Sequence, residues 1–165
     1  MFVELEKTVD KNNYKMYNIK DNKNFACEDF AMNRKTAREN AFILLFEKAI
    51  KIDETFEEIY TKATCERGLE VDDYVKNVFF GCAENEKIID IKIDECLVGW
   101  KKERVSYVAM AILKLSAFEL MFMEDIPAKV SINEAIELSK KYDDEKAYVF
   151  VNGVLNKLAE SIGRK

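Results

Sequence analysis

Three basic side chains, Arg34, Lys35 and Arg38, open the first strongly patterned segment of this 165-residue chain. Arg34 and Arg38 lie four residues apart, so on a helix both project from one face with Lys35 beside them. Guanidinium forks and a mobile ammonium in that arrangement suit phosphate groups. From residue 32 to residue 52 five cations stand against two acids, and from 53 to 73 eight acids stand against two cations, in a chain of net charge −5. Cations at a helix N-terminus oppose the macrodipole at about 0.3–1 kcal/mol each, so stability alone does not select them. Two readings stay open at this point: a solvated basic face, or phosphate contacts at one end of an otherwise acidic protein.

A second set lies near the C-terminus, where Tyr142, Tyr148 and Phe150 alternate with Lys140, Lys141 and Lys146. Aromatic rings among lysines can stack unpaired bases while the ammonium groups meet phosphates. Phe150 also fits a buried stripe, and both roles stand. Asn152-Gly153 falls inside a helical pattern, where glycine costs about 1 kcal/mol relative to alanine. Close helix–helix approach is one reason for it, and presentation of the Asn152 amide beside a ligand is the other.

The chain contains no histidine. Ser-His-Asp and Cys-His nucleophiles and imidazole-ligated zinc are therefore excluded. The glycines at 68, 81, 99, 153 and 163 are too far apart for a phosphate-cradling loop. Cys27, Cys65, Cys82 and Cys96 form no C-x-x-C pair and read as reduced thiols of a cytoplasmic protein. The 31 carboxylates spread over amphipathic patterns and read as solvated faces. No uncharged run approaches the roughly 20 apolar residues that span a bilayer. No catalytic residue, metal ligand or cofactor is expected.

These side chains must be positioned by helices, because one proline and five glycines leave few breakers and the periodicity is helical almost throughout. Residues 1–31, rich in Asn, Lys and Asp, read as a poorly ordered extension. Met32 is a candidate start of translation, an idea that N-terminal sequencing of the native protein would sink by finding Met1 or Phe2. Asn33 is expected to cap a first helix to about Ile50, and Asp53 a second with Phe56, Ile59, Tyr60 and Ala63 inward. A long third helix follows Asp72-Asp73, carrying Val75, Val78, Cys82, Ile89, Ile93 and Cys96 on one stripe. Gly99-Trp100 breaks the chain into halves. Beyond it Val105, Val108, Ile112, Leu115 and Leu120 form a stripe that ends at a turn before Pro127. Ser131 and Glu134 fit a capping box opening a short helix. The last helix turns Phe150, Val154, Leu158 and Ile162 inward. The fold class is all-α, with six or seven helices.

The run Ile126-Pro127-Ala128-Lys129-Val130-Ser131-Ile132-Asn133-Glu134-Ala135-Ile136-Glu137-Leu138, followed by Phe150-Val151-Asn152-Gly153-Val154-Leu155, resembles the C-terminal signature of the NusB family of bacterial transcription antitermination factors. Ala37-Arg38-Glu39 with Arg34 and Lys35 resembles that family's arginine-rich first helix, and Ala111–Lys114 with Phe118–Leu120 its central helix. The resemblance spans about Met32 to Ser161. It implies two packed helical subdomains within residues 32–162, one of about three helices over 32–98 and one of three to four over 101–162, and no catalysis. It further implies pairing with NusE, a ribosomal protein of the small subunit. The pair would bind single-stranded boxA RNA and help RNA polymerase, with other Nus factors, read through terminators, notably in ribosomal RNA operons. Family members occur as monomers and as homodimers, and both stay open.

By position, the resemblance assigns RNA contact to Arg34, Lys35, Arg38, Lys129, Lys146 and Phe150, and NusE contact to Phe46, Glu103 and Arg104. Thr36 stands where the family's basic cluster is richer, Lys146 where it has an acidic residue, and Ala109 where an acidic residue is sometimes found. Two alternatives belong to other classes. One is a helical interaction module without antitermination activity. The other is the related RNA-binding module of rRNA cytosine methyltransferases, which needs an attached catalytic domain and is not expected with three residues after Ile162.

Overall fold

The computed structural model describes residues 32–97 and 99–164, and the expected extension over 1–31 lies outside them. Among the described residues there are seven α-helices: α1 Arg34–Ile50, α2 Phe56–Thr61, α3 Asp73–Glu84, α4 Glu86–Cys96, α5 Tyr107–Phe122, α6 Ala128–Tyr142 and α7 Ala147–Ser161. A π-helical turn, Lys62–Glu66, extends α2, and a 3-10 turn, Lys102–Arg104, precedes α5.

The order follows from where apolar residues can hide. The sequence YVAMAILKLSAFELMF is apolar nearly all round, so α5 has no solvent face to speak of and must be central. It packs against α1, α3 and α4 from the first half of the chain and against α6 and α7 from the second. Ile112, Leu113, Leu115 and Leu120 on it are fully or almost fully buried. Each such side chain contributes about 1.5–3 kcal/mol by leaving water. The stripe expected from Val105 to Leu120 was thus one edge of a helix buried on several. The stripe from Val75 to Cys96 is buried at all six positions, Cys82 and Cys96 included.

Close approach sets one glycine. A Cβ on Gly81 of α3 would stand 2.3 Å from Cζ of Phe118 on α5, so only glycine lets that ring lie flat against α3. The far end of α5 is held differently. The Arg164 guanidinium donates to the carbonyls of Leu120 at 2.7 Å and Ile126 at 2.6 Å, occupying acceptors left without helical partners.

Three helix boundaries differ from expectation. The second helix starts behind Thr55 rather than Asp53, because Thr55 and Glu58 close a capping box: the Glu58 amide donates to Thr55 Oγ1 at 3.2 Å and the Thr55 amide to Glu58 Oε2 at 2.7 Å. The long third helix is two, parted at Asn85, whose side-chain amide donates to the Gly81 carbonyl at 2.9 Å and competes for the helical acceptor. The sixth begins at Ala128 behind Pro127, whose carbonyl takes the amide of Val130 at 2.9 Å. Ser131 is therefore a buried residue within the helix, not its cap. Asn33 caps α1 as expected, its side chain accepting from the Lys35 amide at 2.9 Å.

Candidate nucleic-acid interface

The first turn of α1 places Arg34 and Lys35 in solvent. Neither makes an ion pair among the described residues. The Arg34 guanidinium lies 4.6 Å from the centroid of the Tyr74 ring on α3, which holds it extended at the surface without neutralising it.

Arg38, one turn on, does something else. It is only 5% exposed, and its Nε donates to Oε1 of Glu119 on α5 at 2.8 Å. The same oxygen accepts the Tyr74 hydroxyl at 2.6 Å, and Arg38 Nη1 lies 3.8 Å from Glu134 on α6. Burial works against the Arg38 charge, but the adjacent Glu119 carboxylate outweighs it and holds the guanidinium above its ordinary value. Burial, reinforced by Glu119, pushes the Tyr74 phenol well above its usual range. Arg34 and Arg38 share a face, their guanidiniums 4.6 and 6.0 Å from the centroid of the same Tyr74 ring, but they differ in burial. Arg34 stays at the surface, while Arg38 enters a polar knot joining α1, α3 and α5. Arg38 is a positioning residue for the helix that displays Arg34 and Lys35.

A second contact fixes α1 from its other flank. Glu39 accepts from Lys141 Nζ at 2.5 Å and from the Tyr142 hydroxyl, and the Tyr142 ring lies 4.9 Å from that of Phe42. The hydrogen bonds from Lys141 and Tyr142 hold the Glu39 carboxyl below its ordinary range. The three expected aromatics thus part company. Tyr142 ties α6 to α1, Tyr148 sits with Lys140 Nζ 5.5 Å from its ring centroid, and Phe150 meets Trp100 at 4.8 Å. Phe150 is half-buried, between its two expected roles.

Lys129 is exposed in the first turn of α6. It lines an open groove of about 760 Å³ between α6 and α7, with Asn133, Asn152, Gly153, Asn156 and Lys157. Lys146 is exposed at the N-cap of α7. A Cβ on Gly153 would meet nothing within 4 Å among the described residues, so close packing against them does not account for that glycine. Of the positions assigned to a protein partner, Phe46 is half-buried on α1 with its ring 6.0 Å from Phe42. Glu103 and Arg104 are exposed on the turn before α5, and among the described residues no hydrogen bond or ion pair links them to Phe46.

Trp100 carried no role in the sequence reading beyond marking a break. An aromatic between a glycine and two lysines, Gly99-Trp100-Lys101-Lys102, was the available signal. Among the described residues no group of three or more Cys, Asp or Glu side chains could hold a metal ion. None of their helices is long and apolar enough to cross a membrane.

Fold and site together define a class: all-helical bundles that display charged and aromatic side chains at helix ends and edges. Residues 35–160 match the model of the NusB family, and the chain belongs to that family. It is 44% identical over 134 residues to a transcription antitermination protein NusB of Clostridium novyi, spanning 79% of this chain and 100% of that protein. Among solved structures it resembles T. maritima NusB at 35% identity and TM-score 0.68, covering 78% of this chain and 92% of that one. It also resembles a chain in the crystal structure of the antitermination factors NusB and NusE in complex with dsRNA. That likeness has 29% identity and TM-score 0.69, over 78% of this chain and 96% of that one.

Proposed function

We propose that this protein is a cytoplasmic RNA-binding transcription antitermination factor, which pairs with NusE to hold boxA RNA and promote read-through by RNA polymerase, notably of ribosomal RNA operons. The observation that carries the reading is the end of α1. Arg34 and Lys35 stand exposed there, without an ion pair among the described residues, on a helix locked in place by Arg38 and Glu39, in a chain whose relatives are antitermination proteins. Preorganised cations release counterions on meeting phosphates without first breaking ion pairs of their own. Lys129 and Lys146 extend the positive surface, and Phe150 supplies a ring for an unpaired base. Phe46, Glu103 and Arg104 are the proposed NusE contacts, and residues 32–162 the functional unit.

A mobility shift with boxA RNA, run with and without NusE, tests this. A shift that strengthens with NusE and weakens with salt is expected. NusE binding without any RNA shift would instead favour a helical interaction module without antitermination activity.

A further inference from the structure

The edge of the molecule where α4 runs towards α5 carries a feature that the proposed RNA site does not yet include. Trp100, the only tryptophan in the chain, is 57% exposed. A lone exposed apolar residue needs no explanation, but this one is held in place. Gly99 takes a φ of +80°, a left-handed conformation that glycine adopts without strain, and the turn it makes lets the Trp100 amide donate to the Leu97 carbonyl at 3.1 Å. Leu97 is itself buried, so the turn is anchored to the core. The indole then meets Phe150 of α7 at 4.8 Å between centroids, with the ring planes inclined at 54°. One side of the indole is supported and the rest faces solvent.

Exposed lysines neighbour the ring pair in sequence, together with the exposed acids Glu103, Asp144 and Glu145. Lys101 follows in sequence and is exposed; Lys146 lies one turn before Phe150 on α7 and is exposed. Lys157, two turns beyond Phe150, reaches back to the Glu95 carbonyl at 3.4 Å, at the end of α4. The two acids at that end of α4 are already paired, Asp94 with Lys102 at 2.9 Å and Glu95 with Lys92 at 2.7 Å. A supported ring pair with exposed lysines beside its members in sequence has the features of a stacking platform for one base of a single strand. An apolar partner side chain would gain little from the flanking lysines, whereas the phosphates on either side of a stacked base would.

We infer that Trp100, supported by Phe150, is a nucleobase-stacking residue that takes one unpaired base of the bound RNA, with Lys101 and Lys146 on the adjoining phosphates. This rests on the RNA-binding reading above and adds to it a residue and a ligand class, a single unstacked base.

The single tryptophan makes the test direct. Full-length protein is titrated with a boxA oligonucleotide while Trp100 fluorescence and a mobility shift are followed in parallel, alone and with a tryptophan-free NusE. The expected result is quenching that shares its midpoint with the shift. An RNA with one abasic position should then be found that still shifts but no longer quenches. Trp100→Ala should weaken RNA binding by roughly five- to a hundredfold, the range for one lost base stack, and Trp100→Phe should recover most of it. Thermal melting of both variants should match the parent, since the ring is largely outside the core.

An RNA shift with no change in fluorescence, or Trp100→Ala binding RNA like the parent, would overturn the inference and leave the functional reading standing. Loss of NusE binding with RNA affinity intact would assign Trp100 to the protein partner instead. If the parent protein with NusE shifts no boxA RNA, the functional reading fails and the stacking role falls with it.

Discussion

The knot at Arg38, Tyr74 and Glu119 and the edge at Trp100 and Phe150 invert the usual arrangement in opposite ways. The first takes charge into the interior, and the second holds a large aromatic ring in solvent. The knot finds its main partners within the chain: Oε1 of Glu119 receives a guanidinium and a phenol and three helices are joined, while Oε2 is buried without a hydrogen-bond partner among the described residues. The edge has no such internal account. Its turn is anchored and its ring supported, yet Trp100 stays 57% exposed, and Phe150 is the one ring it meets among the described residues. An irregularity that the chain itself satisfies belongs to architecture, and one held rigid but left open points outside the molecule.

The contrast is broken most severely by Glu119→Ala. A guanidinium cannot release its proton, so Arg38 would be left charged with only Glu134, 3.8 Å from its Nη1, to offset it. We expect a loss of about 3–5 kcal/mol in urea unfolding. Arg38→Ala should cost less, because Glu119 keeps the Tyr74 hydroxyl as a hydrogen-bond donor. A Glu119→Ala protein within about 1 kcal/mol of the parent would show that the knot does not organise the helices.

Arg34→Ala sharpens the comparison between the two arginines of α1. Stability should stay within about 0.5 kcal/mol, while RNA affinity falls several-fold and the slope of log affinity against log salt shrinks by about 0.7. Mutating Arg34 and Arg38 together would confound the two effects, so the single variants are the informative ones. Equal unfolding losses for the two would erase the distinction drawn here.

Gly153→Ala should raise stability by about 0.5–1 kcal/mol, since the helix gains a better former and the new methyl meets no neighbour among the described residues. A loss of stability on denaturant melting would mean that the chain needs the glycine for itself.

The smallest effect concerns pH. Hydrogen bonds from Lys141 and Tyr142 lower the Glu39 pKa, so its contribution is complete above the ordinary glutamate value of 4.5 and is lost as pH falls through the lower folded value. The difference in melting temperature between parent and Glu39→Gln should therefore be constant near neutrality and shrink only below pH 4.5. A gap that persists undiminished in acid would detach the Glu39 contact from its charge.

Much of the fold was legible because periodicity reports burial directly: Val75 through Cys96 are inward at the spacing their pattern gave. The Thr55-Phe56-Glu57-Glu58 box was equally legible, but Asp53 drew attention as a stronger capping type. Ser131 misled because its S-x-x-E pattern competed with Pro127, whose fixed φ starts the helix earlier. The fate of Arg38 could not be read locally. Four residues of spacing put it beside Arg34, but a carboxylate 81 positions away decides which of the two is buried. Phe150 was found from a motif, whereas Trp100 needed the turn at Gly99 to bring it alongside.

The knot has one more consequence, which concerns the packings the chain does not adopt. Arg38, Tyr74 and Glu119 come from three helices, so their bonds close only when all three are in register. Hydrophobic faces alone tolerate a slip of one helical turn, since leucine against leucine differs little from leucine against isoleucine. A slipped bundle would instead enclose a bare carboxylate and a stranded guanidinium, each costing several kcal/mol. The buried charges thus act as a proofreading lock, penalising near-native alternatives more than they favour the native state.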